Sequence, residues 1–318
     1  MRAMKVGLNI WRAALGGAGA AALIAACTTN PITGRSQLVG LVSESEAIRG
    51  SADAYRQMMA DFDKKKQLDK SGETESPRAK KVQEITDRLI AQAIKFRPDS
   101  AGWRWEVRVI NDPKTVNAFC MAGGKMAVYG GMWEQLKVTD DELAQVMGHE
   151  ISHALLDHTR ERMSVARTTD VGVQILAAAA GVGNLGGQLM QNAAMVAVAL
   201  PNSRESESEA DAVGTQLAAR AGYDPKAAVT LWEKMAKLGG GRLEFLSTHP
   251  SPENRAAKLK EAAVKLEPDY LAAKANTVPA HRYVNLGLSG NERVVEPPLG
   301  ANERVVKPAP TQSPQSAK

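Results

Sequence analysis

The chain of 318 residues is short of several residue types, and each shortage removes a class of function. Aromatic residues make up only 4% of it, and no Lys/Arg block is interleaved with them. The stacking platforms and basic stripes of nucleic-acid binders are therefore missing, and no nucleic-acid partner is expected. The net charge of +5 is a mild excess spread along the sequence. Two cysteines, Cys27 and Cys120, cannot build a disulfide framework, and Cys120 is expected to be a small buried hydrophobe. No apolar run is long enough to cross a bilayer as a helix. Histidines number five, at 149, 153, 158, 249 and 281. What is present in quantity is ordinary: 44% hydrophobic and 24% charged residues, enough to bury a globular core.

The first 26 residues have the pattern of a secretory signal. Arg2, Lys5 and Arg12 precede the small, apolar stretch 13–26, which ends in Ile-Ala-Ala-Cys at 24–27. That ending resembles a bacterial lipobox, in which cleavage before the cysteine leaves Cys27 as a lipidated N-terminus. The competing reading is an ordinary signal peptide cut at an Ala-x-Ala site. The position of the cysteine, directly at the end of the apolar run, favours the lipoprotein. Residues 27–42 are then expected to be a polar tether. Thr28 in place of an acidic residue suits the outer membrane, so the expected location is the bacterial envelope, lipid-anchored and periplasm-facing.

Beyond the tether, one domain is expected over 43–280. Ser43 and Glu46 form a capping box at the start of a long helix, and a second helix is expected over 77–97 with Val82, Ile85, Leu89 and Ile94 on its buried face. Residues 103–112 alternate strictly and predict a strand; 115–131 predict two more, joined at Gly123-Gly124. From Thr139 to about Leu266 the pattern is helical, with a second capping box at Thr139 and Glu142 and Asp-Pro and Ser-Pro helix starts at Asp224 and Ser251. Residues 281–318 repeat Asn-Glu-Arg-Val-Val, are rich in Pro and Gly, and are expected to be a disordered tail.

The chemistry concentrates in His149-Glu150-Ile151-Ser152-His153. On a helix the two histidines lie about 40° apart and one turn along, so both can reach one zinc ion. Glu150 is rotated by about 100° from His149, beside the metal's open position, where it can take a proton from water and return it to a leaving amine. Catalytic zinc wants a third protein ligand. The run Ser-Arg-Glu-Ser-Glu-Ser-Glu-Ala-Asp at 203–211 supplies carboxylates, and helical geometry separates them. Ala210, Gly214, Leu217, Ala218 and Ala221 share one face; Glu207 falls within that face and Asp211 beside it. Glu205 and Glu209 point away and are expected to be solvated. A carboxylate on an apolar stripe is costly unless paired or bound to metal, so Glu207 is the expected third ligand. Asp211 is placed to accept the second ring N–H of a zinc-bound histidine.

These two motifs together resemble zinc metallopeptidase family forty-eight, which holds the CAAX prenyl endopeptidases, the HtpX-type membrane proteases and the periplasmic β-barrel-assembly-enhancing protease. The resemblance covers roughly 105–265. It implies a gluzincin-type fold, mostly α with a small, mainly antiparallel β-sheet (α+β), one Zn2+ per chain, and a Glu-x-x-x-Asp motif that falls on Glu207 and Asp211. It further implies that Asn117, Ala118 and Phe119 form the edge strand that holds substrate. It makes His249, in Leu246–Arg255, a residue that stabilises the oxyanion or occupies the metal's open place; a turn histidine is the alternative. His158 is expected on the far side of its helix in a structural role. The segment 171–200, where some relatives have membrane spans, is broken by Gly181, Gly183, Gly186 and Gly187 and is expected to form lid helices, with an interfacial membrane contact as the lesser reading. The tetratricopeptide repeats of some periplasmic relatives are absent from the sequence.

The implied function is a zinc endopeptidase acting on unfolded or misassembled envelope polypeptides, by the fold-level analogy alone. A lipid-anchored chaperone or binding module with a capped or structural zinc is the alternative, and a metal-dependent hydrolase of non-peptide substrates a weaker third.

Overall fold

The computed structural model describes residues 27–69, 76–168, 194–195, 199–238, 244–251, 254–276 and 278–281. The expected signal peptide, most of the glycine-broken segment 171–200 and the tail from 282 onward lie outside the described residues.

The first described element departs from expectation. Residues 27–42 are not a tether: β1 (Cys27–Thr29) and β2 (Ser36–Leu38) pair antiparallel as a hairpin, with Cys27 exposed at its open end. Its polar residues looked like a solvated linker, yet Asn30 and Gln37 are buried: Asn30 donates to the Gln37 side-chain oxygen, and both donate to the Leu156 carbonyl. Helix α1 (Glu44–Lys64) starts at the Ser43–Glu46 capping box, and α2 (Pro77–Phe96) at Ser76 with Pro77 in its first turn.

Strand β3 (Glu106–Ile110) follows, then β4 (Ala118–Met121) and β5 (Lys125–Tyr129). The turn between β4 and β5 uses Gly123 and Gly124, both at φ of 78°, a conformation that favours glycine. The sheet order is β3-β5-β4, with β5 parallel to β3 and antiparallel to β4. Counting the hairpin, two of the three strand pairings are antiparallel, and β4 lies at the sheet's edge.

After the short α3 (Gly131–Glu134) comes α4 (Asp140–Leu155), opened by the Thr139–Glu142 capping box and buried from Glu142 to Leu155. A helix buried all round must be the centre of its fold. It packs on α2, on β4, and on α6 (Arg204–Arg220) and α7 (Ala227–Leu238), which follow α5 (His158–Thr168). The α4–α6 crossing is glycine on glycine: a Cβ on Gly148 would meet the Gly214 carbonyl oxygen at 2.7 Å, and one on Gly214 would meet the His149 nitrogen at 2.6 Å. A short α8 (Glu244–Thr248) and a long α9 (Arg255–Ala275) complete the described fold. Helix α9 begins after Asn254, at φ of 58°, rather than at the Ser251-Pro252 start read from sequence. The Phe245 amide, in α8, donates to the Val116 carbonyl just ahead of the edge strand. Among the described residues no helix is long and apolar enough to cross a membrane.

Candidate metal centre

Helix α4 carries His149, Glu150 and His153, and the tight glycine crossing sets α6 against it at His149, with Glu207 two turns before Gly214 on the same face. The Glu207 carboxylate is fully buried, at 0% exposure. Four donors converge: His149, His153, Glu207 and His249, all buried. The Nε2 atom of His149 lies 3.1 Å from His153 Nε2, 3.3 Å from Glu207 Oε2 and 3.3 Å from His249 Nδ1. Glu207 Oε1 is 3.3 Å from His153 Nε2 and 2.9 Å from His249 Nδ1. These donors, all within 4.8 Å of one another, would suit a small cation such as zinc, whose bonds to nitrogen and oxygen are about 2.0–2.2 Å.

Charge supports the same fit. Burial works against the Glu207 carboxylate, but His149, His153 and His249 outweigh it and hold the group far below the usual carboxylate range. Burial likewise opposes a charged His149, yet Glu207 and Asp211 raise its pKa to about 10. His153 is driven well below its ordinary value, chiefly by burial, and stays neutral. A buried carboxylate held ionised among ring nitrogens draws in a cation, which would take the place of the His149 proton, and borderline-soft zinc suits a set of three imidazoles and one carboxylate.

Glu150 stands next to this set. Its Oε1 lies 3.4 Å from His249 Nε2, and burial raises its pKa against the pull of His249 and His149. A raised carboxyl group is suited to exchanging protons near neutrality. His249 thus lies between the donor cluster, through Nδ1, and Glu150, through Nε2. It is stacked on Phe245 at 4.3 Å between ring centroids, and its Nδ1 is 3.3 Å from the Asn202 side-chain nitrogen. Asn202 in turn accepts from Arg162, a half-buried arginine whose pKa is lowered to about 10 by the desolvation of its guanidinium.

A second layer surrounds the donors. Asp211 Oδ1 faces His149 Nδ1 at 3.1 Å, although the ring N–H does not point straight at it. Arg255 donates to the same Asp211 oxygen at 2.6 Å and to Glu207 Oε2 at 3.4 Å, its guanidinium 3.2 Å from the centroid of the Trp232 ring. On the other flank, His158 Nδ1 lies 2.8 Å from His153 Nδ1, and His158 Nε2 lies 3.0 Å from Glu209 Oε2. Burial alone would raise the Glu209 carboxyl, but His158, Thr33 and Arg35 lower it to about 2. Burial also lowers the His158 pKa in spite of Glu209, so that ring is neutral.

The structure brings together His149, Glu150, His153, Glu207, Asp211 and His249, all named from sequence. Asn117–Phe119 lie at the edge strand, with Asn117 just before β4 and its carbonyl bonded to the Tyr129 amide. Two expectations fail. Glu209 is no solvated residue but the partner of His158 and Arg35. His158 is not on the far side of the motif's helix, because α4 ends at Leu155 and Asp157, at φ of 59°, turns the chain back before α5 begins. Arg35, Arg162, Asn202 and Arg255 were missed. Only Arg255 had a sequence signal: with Leu259 and Ala263 it falls on one buried helical stripe, where a charge must be paired.

Two histidines one turn apart on a central helix, a carboxylate from a second helix and an adjacent raised glutamate define a gluzincin-type metallopeptidase site. The comparisons carry this to a family. Residues 76–263 match the model of Peptidase family M48, and the chain belongs to that family. It is 35% identical to the mitochondrial metalloendopeptidase OMA1 of Schizosaccharomyces pombe, over 73% of this chain and 65% of that protein. It is 36% identical to the metalloprotease LoiP of Escherichia coli, over 46% of this chain and 59% of the relative. A third relative is the β-barrel assembly-enhancing protease of Escherichia coli, 33% identical over 51% of this chain and 37% of its own length. The matched regions thus span about a third to two thirds of these relatives.

Proposed function

We propose that the chain is a zinc-dependent endopeptidase, and that His149, His153 and Glu207 hold the ion. The observation that carries this reading is the convergence of those donors, within about 3.3 Å of one another, beside a buried Glu150 of raised pKa. Zinc bound there supplies Lewis-acid activation of the attacking water and of the scissile carbonyl. Glu150 takes the proton from that water as its oxygen attacks the carbonyl carbon, and delivers it to the nitrogen as the C–N bond breaks. Asp211, facing Nδ1 of His149, keeps the Nε2 lone pair directed at the donor cluster. An extended peptide runs along the edge strand at Asn117, Ala118 and Phe119 by main-chain bonds, which selects unfolded or loop segments over a defined sequence.

The substrates we infer are unfolded or misassembled envelope proteins. The chain is tethered to the membrane through a lipid on Cys27, facing the periplasm, most simply at the outer membrane. Cys27 is exposed at the open end of the hairpin, which supports its modification. Mass spectrometry of that cysteine tests the anchor: an unmodified thiol in membrane-fractionated protein would refute it.

One observation favours a capped resting form. The Nδ1 atom of His249 lies among the metal donors, where it would take the fourth place at an ion held by His149, His153 and Glu207. We therefore read His249 as a cap that must swing out before turnover, in place of a fixed oxyanion stabiliser. Casein or an unfolded envelope protein is incubated with wild type, Glu150→Gln and His249→Ala. Glu150→Gln is expected to lose at least about a hundredfold in turnover, and equal turnover by wild type would end the peptidase reading. His249→Ala is expected to be faster than wild type; slower turnover would return His249 to the oxyanion role.

A further inference from the structure

The hairpin β1–β2 touches the helices around the metal centre in two ways. Asn30 and Gln37 cap α4, both donating to the Leu156 carbonyl at its end. The other contact runs through Arg35. Its Nη1 and Nη2 donate to the two oxygens of Glu161 at 2.9 and 2.7 Å, its Nε donates to Glu209 Oε2 at 2.8 Å, and Nη2 also reaches Ser206 Oγ at 3.2 Å. The same Glu209 oxygen is 3.0 Å from His158 Nε2, and His158 Nδ1 is 2.8 Å from His153 Nδ1. The hydrogens along this chain are determined. A carboxylate only accepts, so His158 carries its hydrogen on Nε2. The Nδ1 atom of a neutral ring so protonated is an acceptor, and the hydrogen between the two Nδ1 atoms belongs to His153. That leaves His153 Nε2 as a bare lone pair, 3.1 Å from His149 Nε2 and 3.3 Å from Glu207 Oε1.

We propose that Arg35 is a positioning residue of the metal centre: from the N-terminal hairpin it holds Glu209 against His158, which fixes the tautomer and ring orientation of His153. The planar guanidinium suits this task, because it meets two carboxylates at once and keeps Glu209 from turning to solvent. A lysine would hold one of the two. The hairpin, which starts at the cysteine proposed to carry the lipid anchor, is thus part of the metal site's scaffold.

The proposal rests on the reading of the site as a metal centre, and its test separates the two. Zinc-loaded full-length wild type, Arg35→Gln, Arg35→Lys, Glu209→Gln and the double glutamine variant are compared for the rate of zinc transfer to a chelator. Their imidazole nitrogens are also followed by 15N NMR. Arg35→Gln and Glu209→Gln are each expected to release zinc on the order of tenfold faster. The double variant should be no faster than Glu209→Gln alone, because Arg35 acts through Glu209. Arg35→Lys should recover part of the loss, and the His153 Nδ1–H signature should weaken in both single glutamine variants. Zinc release at the wild-type rate, or effects of the two substitutions that multiply, overturns the proposal; so does a fall in melting temperature without either change. If wild type retains no zinc, the metal reading itself fails, and the His153 tautomer still decides for or against Arg35.

Discussion

Removing Glu207 leaves the three imidazoles without the anion that draws a cation to them. Glu207→Ala is expected to lose zinc retention by at least about a hundredfold, measured by metal analysis after dialysis against a weak chelator. Full retention would move the third ligand elsewhere. Glu142 tests a different side chain, remote from the metal. Its carboxylate is 2% exposed, accepts from the Thr139 amide and from Thr230 and Lys234, and has a lowered pKa: burial raises it, and those partners outweigh burial. A carboxyl depressed in the folded state contributes stability that is complete above its unfolded pKa of about 4.3 and is lost as pH falls through the folded value. Glu142→Gln should therefore lower stability by about 1–2 kcal/mol at pH 7. The gap between variant and wild type in urea unfolding should close progressively below about pH 4. A gap independent of pH would refute the assignment.

At the scale of elements, the two glycines at the α4–α6 crossing set the distance between the histidine pair and Glu207. Gly214→Ala places a methyl 2.6 Å from the His149 nitrogen, backbone that cannot step aside. The helices must part, at an expected cost of about 1–3 kcal/mol with zinc release faster by tenfold or more. Gly102→Ala, with no atom within 4 Å of the added Cβ, is the control that should match wild type in zinc release. The crossing also explains what was legible in the sequence. Within one helix the angles are fixed, so the faces of α4 and α6 could be read directly, and Glu207 and Asp211 separated from Glu205 without coordinates. Legibility stopped where one element met another. Glu209 looked solvated because its partners, His158 and Arg35, come from another helix and from a hairpin 170 or so residues earlier. The hairpin itself was invisible because its strands are three residues long and its buried side chains are polar, satisfied by a helix end instead of water.

At the scale of the molecule, the centre joins residues from hairpin, α4, α6, the turn after α8 and α9, and the metal is expected to behave as a tertiary cross-link. Chelation should lower the melting temperature by on the order of 10 °C, the shift that follows when a ligand at about a thousandfold over its Kd is withdrawn from a domain of this size. Melting curves with and without chelator check this, and coincident curves would mean that the fold stands without the ion. The bond from the Phe245 amide to the Val116 carbonyl has a consequence of another kind. An exposed strand edge invites sheets of neighbouring copies to join it. Here the edge strand is four residues long, and the carbonyl just ahead of it is already engaged from within. An edge this short and this engaged offers too few main-chain bonds to nucleate a continuous sheet with a neighbouring copy. The sheet is therefore a poor seed for its own aggregation, whatever segment the proposed peptide site takes.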